Sequence, residues 1–190
     1  MKVEKFTELT DEIIAIKLRT DASFLGEIID RYEGKLTRFI KSNSNTSSED
    51  IKDILQNVFL KVYKNIYDFD ETLSFSSWIY RIARNEAIDW YRKEKRKPRL
   101  SLEANEVILN YIIADNLIEE EIIKSETTKY FKEIIDSLPD KYKDIVLLRY
   151  FEDKSYEEIS DILSIPQGTV AIRINRVKNI LREKFKSYER

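Results

Sequence analysis

Residues 155–181 read SYEEISDILSIPQGTVAIRINRVKNIL, and this stretch decides what kind of fold the chain adopts. Ser155 followed three residues later by a glutamate has the pattern of a capping box, so we predict a helix of about eight residues beginning there. The chain then turns over residues 165–168, and a basic helix is predicted from about Thr169 to Lys186. A short helix, a tight turn and a second helix are the layout of a helix-turn-helix.

The last helix has two different faces. One carries apolar residues at helical spacing and must pack on a core: Val170, Ile174, Val177, Leu181 and Phe185. The other suits a DNA major groove, because Arg and Asn pair with guanine and adenine edges and an exposed aliphatic meets a thymine methyl. Its candidates, including one from the turn, are Gln167, Thr169, Ala171, Ile172, Arg173, Asn175 and Arg176. A plain helix hairpin with a solvated polar face is the alternative, and an isoleucine on that face weighs against it.

Two further helices are predicted before this unit, and the Leu138–Pro139 step separates them. The residue before a proline is pushed out of the helical region, so a helix over about 120–137 ends there. A second helix is predicted over about 140–151, with Asp140 as its cap.

Charge varies strongly along the chain. Residues 76–100 hold eight basic side chains against three acidic ones, and residues 101–136 hold nine acids against three lysines. The tail from Ser164 holds seven basic residues against two acidic ones. Two basic islands around an acidic segment suggest two surfaces that face anions, and nucleic acid is the commonest large anion. On the charge pattern alone, solvated helix faces with fluctuating charge are the better interpretation. We therefore predict two small all-α domains, about 1–97 and 120–190, joined by an acidic linker, 98–119.

The cleanest periodicity lies in the amino-terminal half. Apolar residues recur there at steps of three and one, which places them in one stripe along an α-helix. They are Ile51, Ile54, Leu55, Val58, Phe59, Val62, Tyr63 and Ile66. The helix predicted here has a polar opposite face.

A second amphipathic helix is predicted to begin after a cap at Ser76 or Ser77 and to end at about Lys95. Aromatic residues lie just before it and at its start, and we assign Tyr63 and Phe75 among them to the core. The polar side of the helix holds Arg81, Arg84, Asn85 and Arg92, with Trp78 and Asp89 at its border. Aromatic residues interleaved with cations suit unpaired nucleic acid, because bases stack on rings and phosphates pair with arginine.

Taken together, these motifs resemble the bacterial sigma-70 family of RNA polymerase sigma factors. Conserved region two resembles residues 50–59 (DIKDILQNVF) and 75–92 (FSSWIYRIARNEAIDWYR). Conserved region four resembles residues 138–139 (LP), 147–149 (LLR), 155–159 (SYEEI) and 168–170 (GTV). The chain is most similar to the small, two-domain extracytoplasmic-function group, and the resemblance extends over nearly the whole chain from about Asp11.

The resemblance implies a dissociable initiation subunit that binds core RNA polymerase, recognises promoter DNA and promotes strand opening. Polymerase would bind the polar face of the helix over residues 50–67, through Asp50, Asp53, Gln56 and Asn57. The connection over residues 68–78 and the next helix would capture unpaired bases of the downstream promoter element, through Trp78, Arg81, Arg84, Asn85, Asp89 and Arg92. The helix-turn-helix would read the upstream element as duplex. The acidic linker would follow the polymerase RNA-exit path, and an anti-sigma factor is a possible further partner.

Two departures from the family pattern concern the helix-turn-helix. Ser160 and Ser164 stand where a small alanine and a turn glycine are frequent, and both are small enough to preserve the fold. Ala171 and Ile172 stand where a basic residue and a serine are frequent, so the promoter sequence does not carry over from the family.

Composition excludes several classes of chemistry. The sequence has no Cys and no His, which removes disulfides, thiolate or imidazole zinc sites and a Ser-His-Asp triad. We expect no cofactor, no metal site and no catalytic residue. The charged first residues are not a signal peptide, and no window approaches the roughly 18 apolar residues of a membrane span. We therefore expect a cytoplasmic protein without membrane insertion.

Three other functions remain open on the residues alone. A one-component repressor or activator would need an effector pocket or a dimer seam, and it would not need the motifs that resemble region two. An interaction protein such as an anti-sigma antagonist would not bind promoter DNA even with polymerase present. A nucleic-acid enzyme would need a metal-binding carboxylate cluster, and none is found at helical spacing.

Overall fold

The computed structural model of the protein describes residues 9–42, 46–94, 133–135 and 137–188. These residues are helical apart from short connections, and they belong to two compact units, which are described separately. The predicted linker 98–119 and most of the helix predicted over 120–137 lie outside the described residues.

Four α-helices and one 3-10 turn make up the described part of the first unit. They are α1 (Asp11–Leu18), α2 (Phe24–Ser42), α3 (Ser48–Lys64), the 3-10 turn Ile66–Asp68 and α4 (Phe75–Lys93). Hydroxyl side chains cap three of the helices: Thr10 accepts from the Ile13 amide, Ser47 from Asp50 and Ser74 from Ser77. Ser76 and Ser77 were therefore wrong as caps of α4, because both already lie in its first turn. The helix ends two residues before the predicted Lys95.

Aromatic rings fill the core of the first unit. The fully buried Phe75 meets Tyr32 edge-on, with ring centroids 5.7 Å apart, and Phe69 at 5.4 Å. The prediction that Phe75 belongs to the core is confirmed. The same prediction for Tyr63 was wrong, since 46% of this residue is exposed. Tyr63 keeps the four-residue spacing of the buried Leu55 and Phe59, but it lies one residue before the end of α3, so the helical period alone does not decide its exposure.

The second unit contains, in its described part, α5 (Asp140–Val146), a π-helical turn (Leu147–Phe151), α6 (Tyr156–Leu163) and α7 (Gln167–Tyr188). Together, α5 and the π-helical turn account for the helix predicted over 140–151. Asp140 was wrong as the cap of α5, because Pro139 occupies the cap position and Asp140 is already helical. Residues 133–135 are also helical.

The turn between α6 and α7 differs from the prediction in its detail. Ser164 adopts the left-handed conformation, with φ 53°, and ends α6. Gly168 does not have a positive φ and lies inside α7, so this glycine does not make the turn. The carbonyl of Pro166 accepts from the amides of Thr169 and Val170 at 2.8 and 3.1 Å. Helix α7 therefore begins two residues before the predicted Thr169.

One stripe of α7 closes the core of the second unit, as predicted. Val170, Ile174, Val177 and Leu181 are all buried, together with Ile159 and Ile162 of α6. The side chain of Phe185 lies outside the described part. A buried side chain of this size contributes about 1.5–3 kcal/mol relative to an exposed one, so this stripe fixes which face of α7 remains in solvent.

Candidate nucleic-acid interface

The polar face of α3 is exposed, as the apolar stripe requires. Asp53, Gln56 and Asn57 all lie in solvent. Asp50 is half-buried. Its carboxylate accepts from the Ser47 hydroxyl at 2.7 Å, and its amide donates to the same hydroxyl at 3.1 Å. Asp50 therefore takes part in capping the helix, whereas the other three residues are available to a partner.

An ion pair joins α3 to α4. Lys61 donates to the carboxylate of Glu86, whose side chain is only 12% exposed. Glu86 lies near the apolar side of α4 in the sequence pattern, and this pair accounts for an acid at that position. A half-buried carboxylate needs such a partner, because burying a charge alone is costly.

Trp78 belongs to the core rather than to the surface of α4. Only 8% of the residue is exposed, and its ring lies 5.5 Å from Phe69 and 5.7 Å from Phe75, measured between centroids. An indole packed between two rings has little area left for a base. Trp78 therefore has a packing role, and its stacking on unpaired bases stays a prediction.

The remaining candidates on α4 lie on one side of the helix. Asn85 is exposed, while Arg81 and Arg84 are half-buried. Asp89 and Arg92 are exposed and lie 3.7 Å apart, which makes them a weak surface ion pair. Spacings of three and four residues place Arg81, Arg84 and Asn85 next to one another on the helix surface.

The α3–α4 loop, residues 65–74, precedes this side of α4. Its exposed apolar residues are Tyr67, 71% exposed, and Leu73. Asp70 organises the tip: its carboxylate accepts from the hydroxyl of Thr72 at 2.7 Å and from the Thr72 amide at 2.9 Å. These two hydrogen bonds lower the pKa of Asp70. Tyr67 is thus the aromatic residue of this region that is available for stacking.

Hydrogen bonds fix the ends of α6. The capping box is confirmed, since the Ser155 hydroxyl accepts from the Glu158 amide and the Glu158 carboxylate accepts from the Ser155 amide. Burial raises the pKa of Glu158, but the Ser155 amide and the Lys154 ammonium outweigh it, so the pKa of Glu158 lies below its ordinary value. At the other end, the Ser160 hydroxyl donates to the Ile165 carbonyl at 2.6 Å and bridges the turn.

The outer face of α7 presents the residues that the sequence predicts there. Ile172 is 73% exposed. Gln167, Asn175 and Arg176 are exposed, whereas Thr169, Ala171 and Arg173 are half-buried at the edges of the face. This face carries a large aliphatic side chain in solvent, flanked by an amide and a guanidinium, and such a combination suits contacts with the edges of bases.

Family comparisons agree with this geometry. The family described as "Sigma-70 region 2" matches residues 28–97, and "Sigma-70, region 4" matches residues 128–181. The ECF RNA polymerase sigma factor SigW of Bacillus subtilis is 36% identical over 171 residues, covering 87% of this chain and 91% of that protein. The chain belongs to the extracytoplasmic-function group of the sigma-70 family. The ECF RNA polymerase sigma-E factor of Haemophilus influenzae is 32% identical over 193 residues, and the match covers 94% of this sigma factor and 96% of that protein.

This sigma factor therefore directs RNA polymerase to promoters for transcription initiation, and it has no catalytic role. Two solved structures share its fold. CnrH, in complex with the cytosolic domain of CnrY, superposes with a TM-score of 0.66 at 20% identity, over 93% of this chain and 97% of that one. The sigma factor RpoE of Bartonella quintana, in complex with the anti-sigma factor NepR, superposes with a TM-score of 0.57 at 19% identity, over 85% of this chain and 96% of that one.

The structure of the sigma factor also adds residues that the sequence pattern missed. Leu60, on the same face of α3 as Asp53 and Gln56, is 46% exposed. A leucine at a polar position of the helical period was the available signal. Arg149, in the π-helical turn, donates to the Lys154 carbonyl at 3.0 Å and lies over the Tyr156 ring. This contact holds the start of the helix-turn-helix. Arg149 belongs to the motif of residues 147–149, but nothing in the sequence indicates this contact.

Within the described ranges, no group of His, Cys, Asp or Glu is arranged to hold a metal ion. Among the same residues, no helix is both long enough and apolar enough to cross a membrane.

Proposed function

We propose that the two units divide promoter recognition between them. The domain over residues 1–97 binds core polymerase and captures the downstream element as unpaired bases. The domain over residues 120–190 reads the upstream element as duplex, and the acidic segment 98–119 connects the two. One observation supports this most: α3 and α7 each bury one face within their own unit and expose the residues that the family motifs mark on the other.

Polymerase binding falls to the exposed face of α3. Asp53, Gln56 and Asn57 supply polar contacts, and Leu60 with Tyr63 extends the face in apolar form. An apolar centre with polar neighbours is the usual anatomy of a protein interface. Asp50 acts at one end, where its carboxylate also accepts from the hydroxyl of the capping Ser47.

Base capture falls to the α3–α4 loop and the exposed side of α4. Asn85 presents an amide that can pair with a base edge, and Arg81 and Arg84 lie where phosphates would follow. The exposed Asp89–Arg92 pair is at the far end of this side. Trp78 contributes by supporting the loop through Phe69.

Duplex reading falls to the outer face of α7. Arg176 and Asn175 are placed to pair with base edges, and Ile172 and Ala171 can contact thymine methyls. Arg173 is at the edge and meets phosphate, which positions the helix without specifying sequence. Gln167 and Thr169 lie at the amino-terminal end, where backbone amides also attract phosphate.

A protein partner and a location belong to the same proposal. The likeness to sigma factors solved with bound partners supports an anti-sigma factor for this chain, and one that covers the α3 face would compete with polymerase. Transcription takes place in the bacterial cytoplasm, so we place the sigma factor there.

The experiment is run-off transcription with purified core polymerase, with and without this chain, on a promoter selected from a random duplex library. Replacing Asp53 and Gln56 together by Ala should lower the affinity for core by about tenfold or more, because two polar contacts are lost. The thermal midpoint should hardly change, since both residues are exposed. The matched control replaces Asp30 and Glu33, exposed on α2, and should bind core normally. Unchanged affinity in the α3 variant would remove the polymerase contact from this face.

A further inference from the structure

Helix α1 grips the α3–α4 loop at its start. The Arg19 guanidinium, at the end of α1, donates through Nη2 to the Phe69 carbonyl at 2.7 Å and through Nε to the Ile66 carbonyl at 3.4 Å. One planar group thus binds two loop carbonyls that are three residues apart. These carbonyls flank the 3-10 turn, so Arg19 sets the direction in which the chain leaves α3.

The loop returns a contact to the same residue. The Tyr67 hydroxyl donates to the Arg19 backbone carbonyl at 2.5 Å. Most of the Tyr67 ring is in solvent, yet the bond at its tip limits how the ring can turn. An exposed tyrosine held in this way is a ready stacking surface, since little conformational freedom remains to be lost when a base binds.

Helix α1 also reaches the far end of the loop. The Glu12 carboxylate accepts from the amide of Phe75, the first residue of α4, at 3.2 Å. That amide has no partner within α4, so Glu12 caps the helix from outside. Asp11 anchors α1 in turn, accepting from Arg31 at 2.7 Å and from the Tyr32 hydroxyl at 2.5 Å. Between the two grips, the Asp70–Thr72 bonds hold the loop tip.

We infer that Arg19 is a positioning residue for promoter opening, because it holds the α3–α4 loop and the Tyr67 ring in the shape that receives an unpaired base. This rests on the proposed role of the loop in base capture. Arg19 lies before residues 28–97, which match the region 2 family, so that match does not assign it a role. Losing Arg19 leaves the loop to be ordered at the moment of binding, and affinity for single strands falls accordingly.

The test uses holoenzyme assembled from core polymerase and the full chain. The probe is the single-stranded non-template strand of a promoter that wild-type holoenzyme selects from a random duplex library. Arg19→Gln should bind this strand about three- to tenfold more weakly, and Arg19→Lys should fall between, because one ammonium replaces a fork that spans two carbonyls. Tyr67→Phe, which removes only the hydroxyl, should weaken binding in the same direction by about twofold.

The matched control is Lys17→Gln, which removes a cation from α1 without touching the loop; Lys17 lies over the Phe24 ring. This control should bind the strand normally. Affinity for core polymerase and for the upstream duplex should be unchanged in every variant, with all measurements made well below the thermal midpoints. If Arg19→Gln weakened all three affinities alike, the residue would have a purely structural role and the inference would be overturned.

Asn85→Ala separates this inference from the proposed function. If Asn85→Ala weakens single-strand binding while Arg19→Gln and Tyr67→Phe do not, positioning by Arg19 is overturned and base capture by α4 stands. If none of the three variants affects the single strand, the proposed capture site is wrong and the inference is overturned with it. Weakening by Asn85→Ala and by both loop variants supports both.

Discussion

The two helices proposed to meet nucleic acid, α4 and α7, present their side chains in different ways. On α4, Glu86 is paired with α3, Asp89 with Arg92, and Trp78 is buried between aromatic rings. On α7, the outer face carries Ile172 and Arg176 in solvent. Nucleic-acid binding at α4 would depend on the shape of the α3–α4 loop, which neighbouring residues hold in place. Binding at α7 would depend on which side chains the helix exposes.

Because of this difference, folding stability and promoter specificity are coupled in the first unit and independent in the second. In the first unit Trp78, which supports the loop, is also a core residue, so changing it perturbs folding. In the second unit the stripe that folds α7 and the face proposed to read DNA share no residue. Substitutions on α7 should therefore alter promoter choice at almost constant stability, and each of the following experiments bears on that contrast.

The largest effect is expected at Trp78. Trp78→Ala removes a ring packed on Phe69 and Phe75 and should destabilise the first unit by about 3–5 kcal/mol. Ile172→Ala, in which the lost side chain is exposed, should change stability by less than about 0.5 kcal/mol. Urea unfolding of both variants checks this. A Trp78→Ala variant as stable as wild type would mean that α4 and α7 expose their working residues in the same way.

A smaller effect is expected from the arginines of α7. Arg176→Ala should cost about 1–3 kcal/mol of binding and relax the preference at one base pair. Arg173→Ala should weaken all sequences alike and reduce the salt slope by about one phosphate contact. Promoter-library selection at two salt concentrations measures both quantities. If the two variants behave alike, Arg176 contacts phosphate and the base-reading face is rotated around α7.

The turn before α7 offers a stabilising change. Ser164→Gly should raise stability by about 0.5–1 kcal/mol, because a glycine has no Cβ to disfavour the left-handed conformation. Ser160→Ala should act in the opposite direction by about 1 kcal/mol, since the hydrogen bond to the Ile165 carbonyl is lost. Thermal unfolding of the two variants compares them. A Ser164→Gly variant with the thermal midpoint of the wild type would show that the left-handed Ser164 carries no strain.

The smallest effect is the acid dependence that Glu158 gives to the second unit. The pKa of Glu158 is lowered on folding, so its contribution is present above the ordinary glutamate pKa and is lost as the pH falls through the folded value. Glu158→Gln should therefore make stability fall less steeply on acidification. Glu157→Gln, an exposed neighbour on the same helix, serves as the control. If the stability of Glu158→Gln fell with decreasing pH as steeply as that of the wild type, the acid sensitivity would come from other carboxylates.

Patterns with a helical period predicted most of the fold. The stripe of α3, the capping box of Ser155 and the buried face of α7 follow from residue spacing and local hydrogen bonding, and the structure confirms them. The predicted exposure of Asp53, Gln56 and Ile172 followed from the same periods.

Features that depend on contacts between distant residues could not be predicted in this way. Trp78 lies at the border of its helix wheel, and the Phe69 ring that the loop places against it contributes to its burial. The grip of Arg19 on carbonyls about fifty positions later has no signal in a periodic pattern, because backbone acceptors carry no sequence identity. Ser164 is a different case, because the resemblance places it at the turn glycine of the family and its left-handed φ of 53° agrees with that position.

The exposed Ile172 has a consequence for how promoter choice responds to ionic strength. Contacts between cations and phosphates weaken as salt displaces them, whereas contact between an isoleucine and a thymine methyl depends on apolar area removed from water. In the proposed complex, rising salt therefore lowers affinity for all DNA while the preference supplied by Ile172 persists. The sigma factor would then discriminate at least as well where it binds less tightly, and osmotic changes in the cell would shift promoter occupancy without erasing promoter identity.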